Sequence, residues 1–555
     1  MTDHPNPKTP TLGRLAGGIA LAAALGAPIL PAQAALPLPD VSPVVAADPG
    51  STLPADWRHG PFMEIYVRGY QDSNGDGVGD LRGLISRLDY LKDLGITGLW
   101  LMPVTRSQDH DHGYATTDYR DIEPDYGTLA DFDELLKQAH ARGIGVIIDY
   151  VINHSAADHA LFQQSQDSPK NPFRDWYVWE DKQPTGWNIY GNNPWYESDH
   201  GFYFAGFWSE MPDFNLRHPQ VLAWHHDNLR FWLNRGVDGF RFDAVGNLVE
   251  NGPLAWESQP ENHQIMHDVR RLVDGYAQRY MVCEAPGDPL AFAAANSAGS
   301  SFAFNHQNHI VGAALGSPAM VSQVAEYFDK APAEAMATFV SNHDAFAGAR
   351  LWDRVRGDLG AYRLAAATYL LQPGTPFIYY GEEIGLASNK SLGGDHKLRT
   401  PMSWSADAQT GGFTSAEPFR ALAGNVTTHN VAAQQADPAS LLSFYKALIQ
   451  LRNSHASLRQ GAYVKPVAQG WTLSFQRVQG DEHTVVLFNY KADPVWARVA
   501  DLPPGATLQP LWPLAGQAGQ AAPLGRQTVD RRGRWKLRLP AQSFVVMKVV
   551  RRDGR

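Results

Sequence analysis

At 555 residues the chain exceeds one ordinary domain, and a barrel of roughly 250 residues with insertions plus a smaller domain accounts for it. A formal charge of −10 excludes the basic stripe that nucleic-acid binding requires, so no nucleic-acid partner is expected, and a neutral ligand fits. The single cysteine, Cys283, excludes an intramolecular disulfide, while 16 Trp, 21 Tyr and 24 Phe exceed what a minimal core needs.

In chain order, residues 1–34 read as an export signal. Lys8 and Arg14 precede the apolar run Leu15 to Leu30, and Ala32-Gln33-Ala34 forms a small-x-small cleavage site. The run is too short and too Gly/Ala-rich for a spanning helix, so a secreted or periplasmic protein without stable membrane insertion is expected. Residues 35–56 are rich in Pro and Ala, lack periodicity and read as a linker.

From Trp57 onward, short β-type runs alternate with helical ones. Eight strands are predicted: Glu64–Val67, Thr97–Leu101, Gly145–Val151, Gly239–Asp243, Tyr280–Glu284, Ser301–Phe304, Thr338–Ser341 and Pro376–Tyr380. The helical segments between them carry apolar residues three and four apart, as in Leu84, Leu88, Leu91 and Leu94. Strands alternating with helices give parallel pairing, so the predicted fold class is α/β, a (β/α)₈ TIM barrel over 57–460. One connection is much longer than the rest and rich in Trp, Asn, Pro and Gly, which predicts an inserted subdomain after the third strand, 155–215. Beyond the helical run Leu441 to Asn453, alternating strands such as Thr472–Arg477 and Thr484–Asn489 predict a C-terminal antiparallel β-sandwich domain, 461–555.

Polar groups fall at the strand ends. Asp149 and His154 end the third strand, Arg241 and Asp243 the fourth and Glu284 the fifth, while His343 and Asp344 follow the seventh. On a (β/α)₈ barrel that end carries the chemistry. Singly, each carboxylate reads equally well as a helix N-cap; four strand ends carrying them together point to one site. Two carboxyls with a third nearby suit glycoside hydrolysis, in which one attacks the anomeric carbon and one protonates the departing oxygen. Glu284 follows the apolar Tyr-Met-Val-Cys strand, and burial should raise its pKa and keep its proton. Asp243 lies two residues from Arg241, on the same strand face, and the guanidinium should hold it ionised. Cys283 reads as packing beside the acid.

With these residues in place, the chain resembles the α-amylase family, glycoside hydrolase family 13. The ordered segments are Gly95–Pro103, Asp149-Tyr-Val-Ile-Asn-His154, Met211-Pro-Asp-Phe-Asn215, Gly239-Phe-Arg-Phe-Asp-Ala-Val245, Val282-Cys-Glu-Ala285, Phe339-Val-Ser-Asn-His-Asp344 and Gly374–Gly385. The resemblance implies Asp243 as nucleophile, Glu284 as general acid/base and Asp344 as the carboxylate that holds the sugar hydroxyls in the transition state. It further implies Arg241 as partner of Asp243, His154 and His343 around the sugar at the cleavage point, and Tyr114 as its stacking platform. Retention of configuration at an α-glucosidic bond, through a covalent glycosyl-enzyme, also follows from the resemblance.

The loop Asp72-Ser-Asn-Gly-Asp-Gly-Val-Gly-Asp80 places oxygen ligands at alternate positions, like the start of a helix-loop-helix calcium site. Gly83 stands where that motif needs a bidentate Glu, and a plain Asx-rich turn remains an alternative. The loop resembles the calcium site of the oligo-1,6-glucosidase branch, which implies structural calcium held by Asp72, Asn74, Asp76, the Val78 carbonyl and Asp80.

On specificity, Ala244 resembles members acting on α-1,4 bonds, and Met211–Asn215 mixes neopullulanase-like and oligo-1,6-glucosidase-like patterns. In Asp111-His112-Gly113-Tyr114, His112 resembles endo-acting amylases, while Asp111 stands where exo-acting α-glucosidases clamp a terminal glucose. Arg399-Thr-Pro-Met-Ser-Trp404 resembles the α-glucosidase branch and makes Arg399 a substrate-binding residue. The expectation is a monomeric, α-amylase-like hydrolase of α-1,4 bonds in starch and maltodextrins. The alternatives are an exo-acting α-glucosidase or oligo-1,6-glucosidase, a transglycosylase and, from another class, a non-catalytic carbohydrate-binding protein on the same barrel.

Overall fold

The computed structural model describes residues 38–513 and 524–551; the export signal expected at 1–34 lies outside them. Eight parallel strands close a barrel: β1 Phe62–Ile65, β2 Gly98–Leu101, β3 Gly145–Tyr150, β4 Gly239–Phe242, β5 Tyr280–Cys283, β6 Ser301–Phe302, β7 Met336–Thr338 and β8 Thr375–Tyr379. All eight predicted strands are present. The first and seventh begin two residues earlier than expected, because the apolar runs Ile65–Val67 and Phe339–Val340 continue beyond the hydrogen-bonded ladder. The predicted helix through Leu84 and Leu94 is two helices, Leu81–Ser86 and Leu88–Leu94, broken at Arg87. The Arg87 guanidinium bonds Gln71 Oε1 and lies 4.0 Å from the Trp404 ring.

The two-residue period of the strands sorts side chains between two cores. Phe62, Trp100, Ile147, Tyr280, Val282, Phe302 and Phe377 pack together inside the barrel above Trp57. Their neighbours Met63, Leu99, Leu101, Val146, Ile148, Phe240, Phe242, Met281 and Cys283 face the surrounding helices. Four inward rows continue into polar residues: Glu64 after Phe62, Asp149 after Ile147, Arg241 and Asp243 after Gly239, and Glu284 after Val282. Aromatic floor and catalytic layer therefore belong to one register, with Glu64 beside Trp100 and Asp149 beside Arg241 across neighbouring strands.

Gly239 opens β4 at φ +146°, and a Cβ there would lie 1.6 Å from the Tyr280 carbonyl oxygen. No side-chain rotation relieves a clash with backbone. Gly239→Ala is therefore expected to separate β4 from β5 and cost about 4 kcal/mol or more, read as loss of soluble protein or a large fall in Tm. Unchanged melting would contradict that register.

The long insertion carries helix Ala160–Asp167 and a three-stranded sheet of Trp179–Glu180, Gly201–Phe204 and Trp195–Ser198. Antiparallel bridges of His154 with Asp213 and of Tyr177 with Phe214 tie it back to the barrel. The stretch read as a linker has no regular secondary structure from residue 38 to 52 and is bonded to the barrel helices: Val44 N donates to Asp227 Oδ1, Ala47 N to Asn234 Oδ1 and Trp224 Nε1 to Asp40 O.

After helix Leu441–Ser454, a six-stranded antiparallel sheet runs in the order Ala462–Gln469, Thr472–Gln479, Glu482–Asn489, Ser543–Val550, Thr507–Trp512, Gln527–Thr528. One face, through Leu473, Phe475, Val486, Phe488 and Val546, joins the barrel core. The other, through Val485, Leu487, Leu508, Val545 and Met547, packs on the two-stranded sheet Val495–Val499 and Trp535–Leu539. The C-terminal domain is thus a sandwich of unequal sheets. Among the described residues no helix is long and apolar enough to cross a membrane.

Candidate active site

Arg241 organises the C-terminal end of the barrel. Its Nη1 donates to Asp149 Oδ1 at 2.8 Å and to Asp243 Oδ1 at 2.7 Å, and its Nη2 to Glu284 Oε2 at 2.6 Å. Asp243 and Glu284 therefore sit on adjacent nitrogens of one planar group, close enough to share one glycosidic linkage. The turn after β4 adds a second link, since Ala244 adopts φ +47° and its N–H points at Glu284 Oε2, 3.2 Å away.

His343 governs the third acid. It is fully buried, stacked on Tyr114 at 5.5 Å, with Nδ1 2.6 Å from Glu64 Oε1 and Nε2 3.1 Å from Asp344 Oδ2. Burial favours the neutral ring, but the two carboxylates outweigh it and raise His343 to about 10, so both ring nitrogens donate. Arg399 Nη2 reaches the other oxygen of Asp344 at 2.8 Å. Against burial, these two cations hold Asp344 well below the usual carboxylate range.

Burial raises Glu284 to about 7 despite Arg241 and with help from Asp243 and Asp344, as the sequence led one to expect of a proton donor. The expectation for Asp243 is corrected. Its carboxyl is raised to about 6, because burial and the neighbouring Asp149 outweigh a guanidinium that is shared three ways. Among the described residues, the buried carboxyls of Glu64, Asp149, Asp243 and Glu284 and the partly exposed one of Asp344 face Arg241, His343 and Arg399 as their cations. A retained proton belongs on Glu284, which titrates above Asp243.

Above this layer lies a cavity of about 590 Å³, lined by Asp243, Glu284, Asp344, Tyr114, His112, His154 and Arg399 among others. Most residues expected at the site meet here. Tyr114 also donates through its hydroxyl to Asp149 Oδ2 at 2.9 Å, which fixes its ring. His154 donates Nε2 to Tyr114 O at 3.2 Å, and burial lowers it to about 4, leaving a neutral donor. His112 accepts from Tyr114 N through Nδ1. Arg241 and His343 are buried beneath the acids and orient them, with His343 bonded directly to Asp344. Asp111 precedes the lining residue His112 and keeps part of its carboxyl exposed. Its Oδ1 takes Arg420 Nη2 at 2.6 Å and the Tyr66 hydroxyl, while His396 Nε2 is 3.0 Å from Oδ2.

Several neighbours were not singled out from the sequence. Glu64 carried a signal, being a lone acid in the apolar run Phe-Met-Glu-Ile. Arg420, His396, Asn247, Glu257, Tyr190 and Phe207 come from loops whose placement no local pattern dictates.

In the loop expected to bind calcium, Asp72 accepts Asn74 N and Gly75 N on Oδ1, and Gly77 N and Thr414 Oγ1 on Oδ2. Asp80 accepts Ser73 N and caps the following helix through Gly83 N. Asn74 and Asp76 bond each other. The side-chain donors are oxygens, the hard set calcium takes.

The family described as Alpha amylase, catalytic domain, matches residues 64–461. The chain is 34% identical over 446 residues to Alpha-amylase 3 of Dictyoglomus thermophilum, covering 78% of this chain and 85% of that one. It is 30% identical over 512 residues to an oligo-1,6-glucosidase of Parageobacillus thermoglucosidasius, covering 78% and 90%. An isomaltulose synthase of Erwinia rhapontici NX5, solved with sucrose, superposes with a TM-score of 0.76 at 27% identity, covering 90% of this chain and all of that one. Barrel, acid layer and matches agree: the chain belongs to the α-amylase family and is a glycoside hydrolase.

Proposed function

We propose that the enzyme hydrolyses α-1,4-glucosidic bonds of malto-oligosaccharides from the non-reducing end, with retention, through a glucosyl ester on Asp243. Ionised Asp243 attacks the anomeric carbon while Glu284 gives its proton to the departing oxygen. Glu284 then takes a proton from water, which attacks the same carbon and frees Asp243. The shared guanidinium supports retention, which needs carboxyls about 5–5.5 Å apart rather than the wider gap that admits water in inverting enzymes.

The observation that carries the terminal mode is the cross-linked wall at the Asp344 end of the cavity. Glu284, with Glu257 and Gly287 beside it, marks the leaving-group end, so the Asp344 end receives the non-reducing side. There Arg399 bonds Asp344, Arg420 Nη1 bonds Arg399 O, and Arg420 Nη2 bonds Asp111. A chain running past Asp344 would have to break that series. Internal cleavage of starch or maltodextrins is the second reading, favoured by Ala244 and by the resemblance to Alpha-amylase 3.

Maltose, a maltoheptaoside blocked at its non-reducing end, and pullulan distinguish the two. Glucose released from maltose with the blocked chain untouched is expected; internal shortening of the blocked chain at a comparable rate would overturn the terminal mode. Arg420→Ala should lower kcat/KM on maltose about tenfold or more, since it leaves Asp111 half-buried without its cation, and should raise relative attack on the blocked chain.

We also propose that the Asp72–Asp80 loop holds a structural calcium ion. Calcium titrated into chelator-treated protein should raise Tm saturably in the wild type and much less in Asp76→Ala, whose carboxyl is exposed and makes only local bonds. An equal rise in both would remove the ion from this loop.

A further inference from the structure

A second cavity, of about 470 Å³, lies at the opposite end of the barrel from the acids. Pro373 and Gly374, which precede β8, line it together with His59, Arg459, Tyr463 and Arg477. It is closed by the C-terminal sheet, on which Tyr463 and Arg477 are cross-strand partners.

Arg477 is 1% exposed and has no carboxylate partner among the described residues. Its Nε donates to Gly461 O at 3.0 Å and its Nη1 to Leu371 O at 2.9 Å, both of them neutral carbonyls. Arg452, fully buried behind it, donates to Leu370 O, Gln372 O and Gly374 O, so its charge also meets only carbonyl dipoles. Two buried donors of cavity-lining residues lack a partner among the described residues, the Tyr463 hydroxyl and Arg459 Nε. Arg459 spends its other nitrogens on Asp56, and among the described residues the sole carboxylate lining the cavity is that of the exposed Glu334. Buried guanidinium without a counter-charge is strongly disfavoured, and the uncompensated charge of Arg477 beside two unsatisfied donors suits a bound oxyanion. Phe328, Pro332, Ala333 and Pro373 give the cavity an apolar side.

We propose that this cavity binds a phosphate group, free or carried on a small organic molecule. The anion joins the barrel base to the C-terminal sheet through Arg477, Arg459 and Tyr463, and the apolar wall accommodates a carrier.

Calorimetric titration of the full chain with inorganic phosphate, against chloride at matched ionic strength, tests this. Saturable binding of phosphate alone is expected, weakened about tenfold in Tyr463→Phe, which keeps the ring packing and removes one bond to a charged ligand. Arg477→Lys should weaken it further, with kcat on maltose unchanged in Tyr463→Phe. Asp243→Asn should bind phosphate like the wild type. Glycerol phosphate binding more tightly than phosphate places a carrier on the apolar wall, and equal affinity leaves free phosphate as the ligand. Absence of saturable binding, an unchanged affinity in Tyr463→Phe, or loss of binding in Asp243→Asn would overturn the site.

Discussion

Asp243→Asn is expected to lower kcat on any α-glucoside by about 10⁴-fold or more while leaving the protein folded. The amide has nearly the shape of the carboxylate and keeps an oxygen for Arg241, but it is too weak a nucleophile to form the ester. Stability should hold or rise. A carboxyl raised to about 6 is ionised less readily in the folded chain than in the unfolded one, so at neutral pH its charge destabilises the fold, and a neutral amide removes that cost. A fall in both activity and Tm would indicate that Asp243 serves the fold. Retained activity would remove it from the chemistry.

Glu284→Gln separates the two half-reactions. With maltose, whose leaving group needs a proton, kcat/KM should fall by about 10²- to 10⁴-fold. With an activated aryl α-glucoside the first step needs little acid, so a burst of aglycone should appear, followed by slow turnover as the ester awaits a base. The pH profile gives an independent check. Asp243 must have lost its proton, which fails as pH falls below about 6, and Glu284 must keep its proton, which fails as pH rises above about 7. The wild type should therefore show a narrow bell in kcat/KM, with limbs that belong to the pair because both acids share Arg241. Glu284→Gln should lose the alkaline limb and keep the acid one. A broad plateau from pH 5 to 8 in the wild type would mean that burial does not control these carboxyls.

The barrel was legible because its strands are inserted between helices with a different apolar period, and because four of the inward rows end on polar residues. That made Asp243, Glu284 and Asp344 visible as a set, although Asp344 lies six residues beyond the end of β7. Local pattern could not supply charge balance. Arg241 beside Asp243 on the same strand suggested a depressed nucleophile pKa, yet that guanidinium is divided among Asp149, Asp243 and Glu284, and two of these come from other strands. The pairing of His343 with Glu64, 279 positions apart, is the same kind of fact, created by closure of the barrel between β1 and β8. Asp111 and Arg420 are 309 positions apart and meet only because two loops fold over one end of the cavity. Specificity rests on such loop meetings, and the sequence accordingly offered mixed indications there.

The account depends on Asp243 forming the bond to the sugar while Glu284 handles the proton. Intact-protein and peptide mass spectrometry of Glu284→Gln, reacted with an activated α-glucosyl fluoride, tests this directly. The account predicts one added hexosyl unit per chain, located on the peptide that contains Asp243. A hexosyl unit on another peptide, or turnover without an adduct that yields the inverted β-anomer, would contradict it.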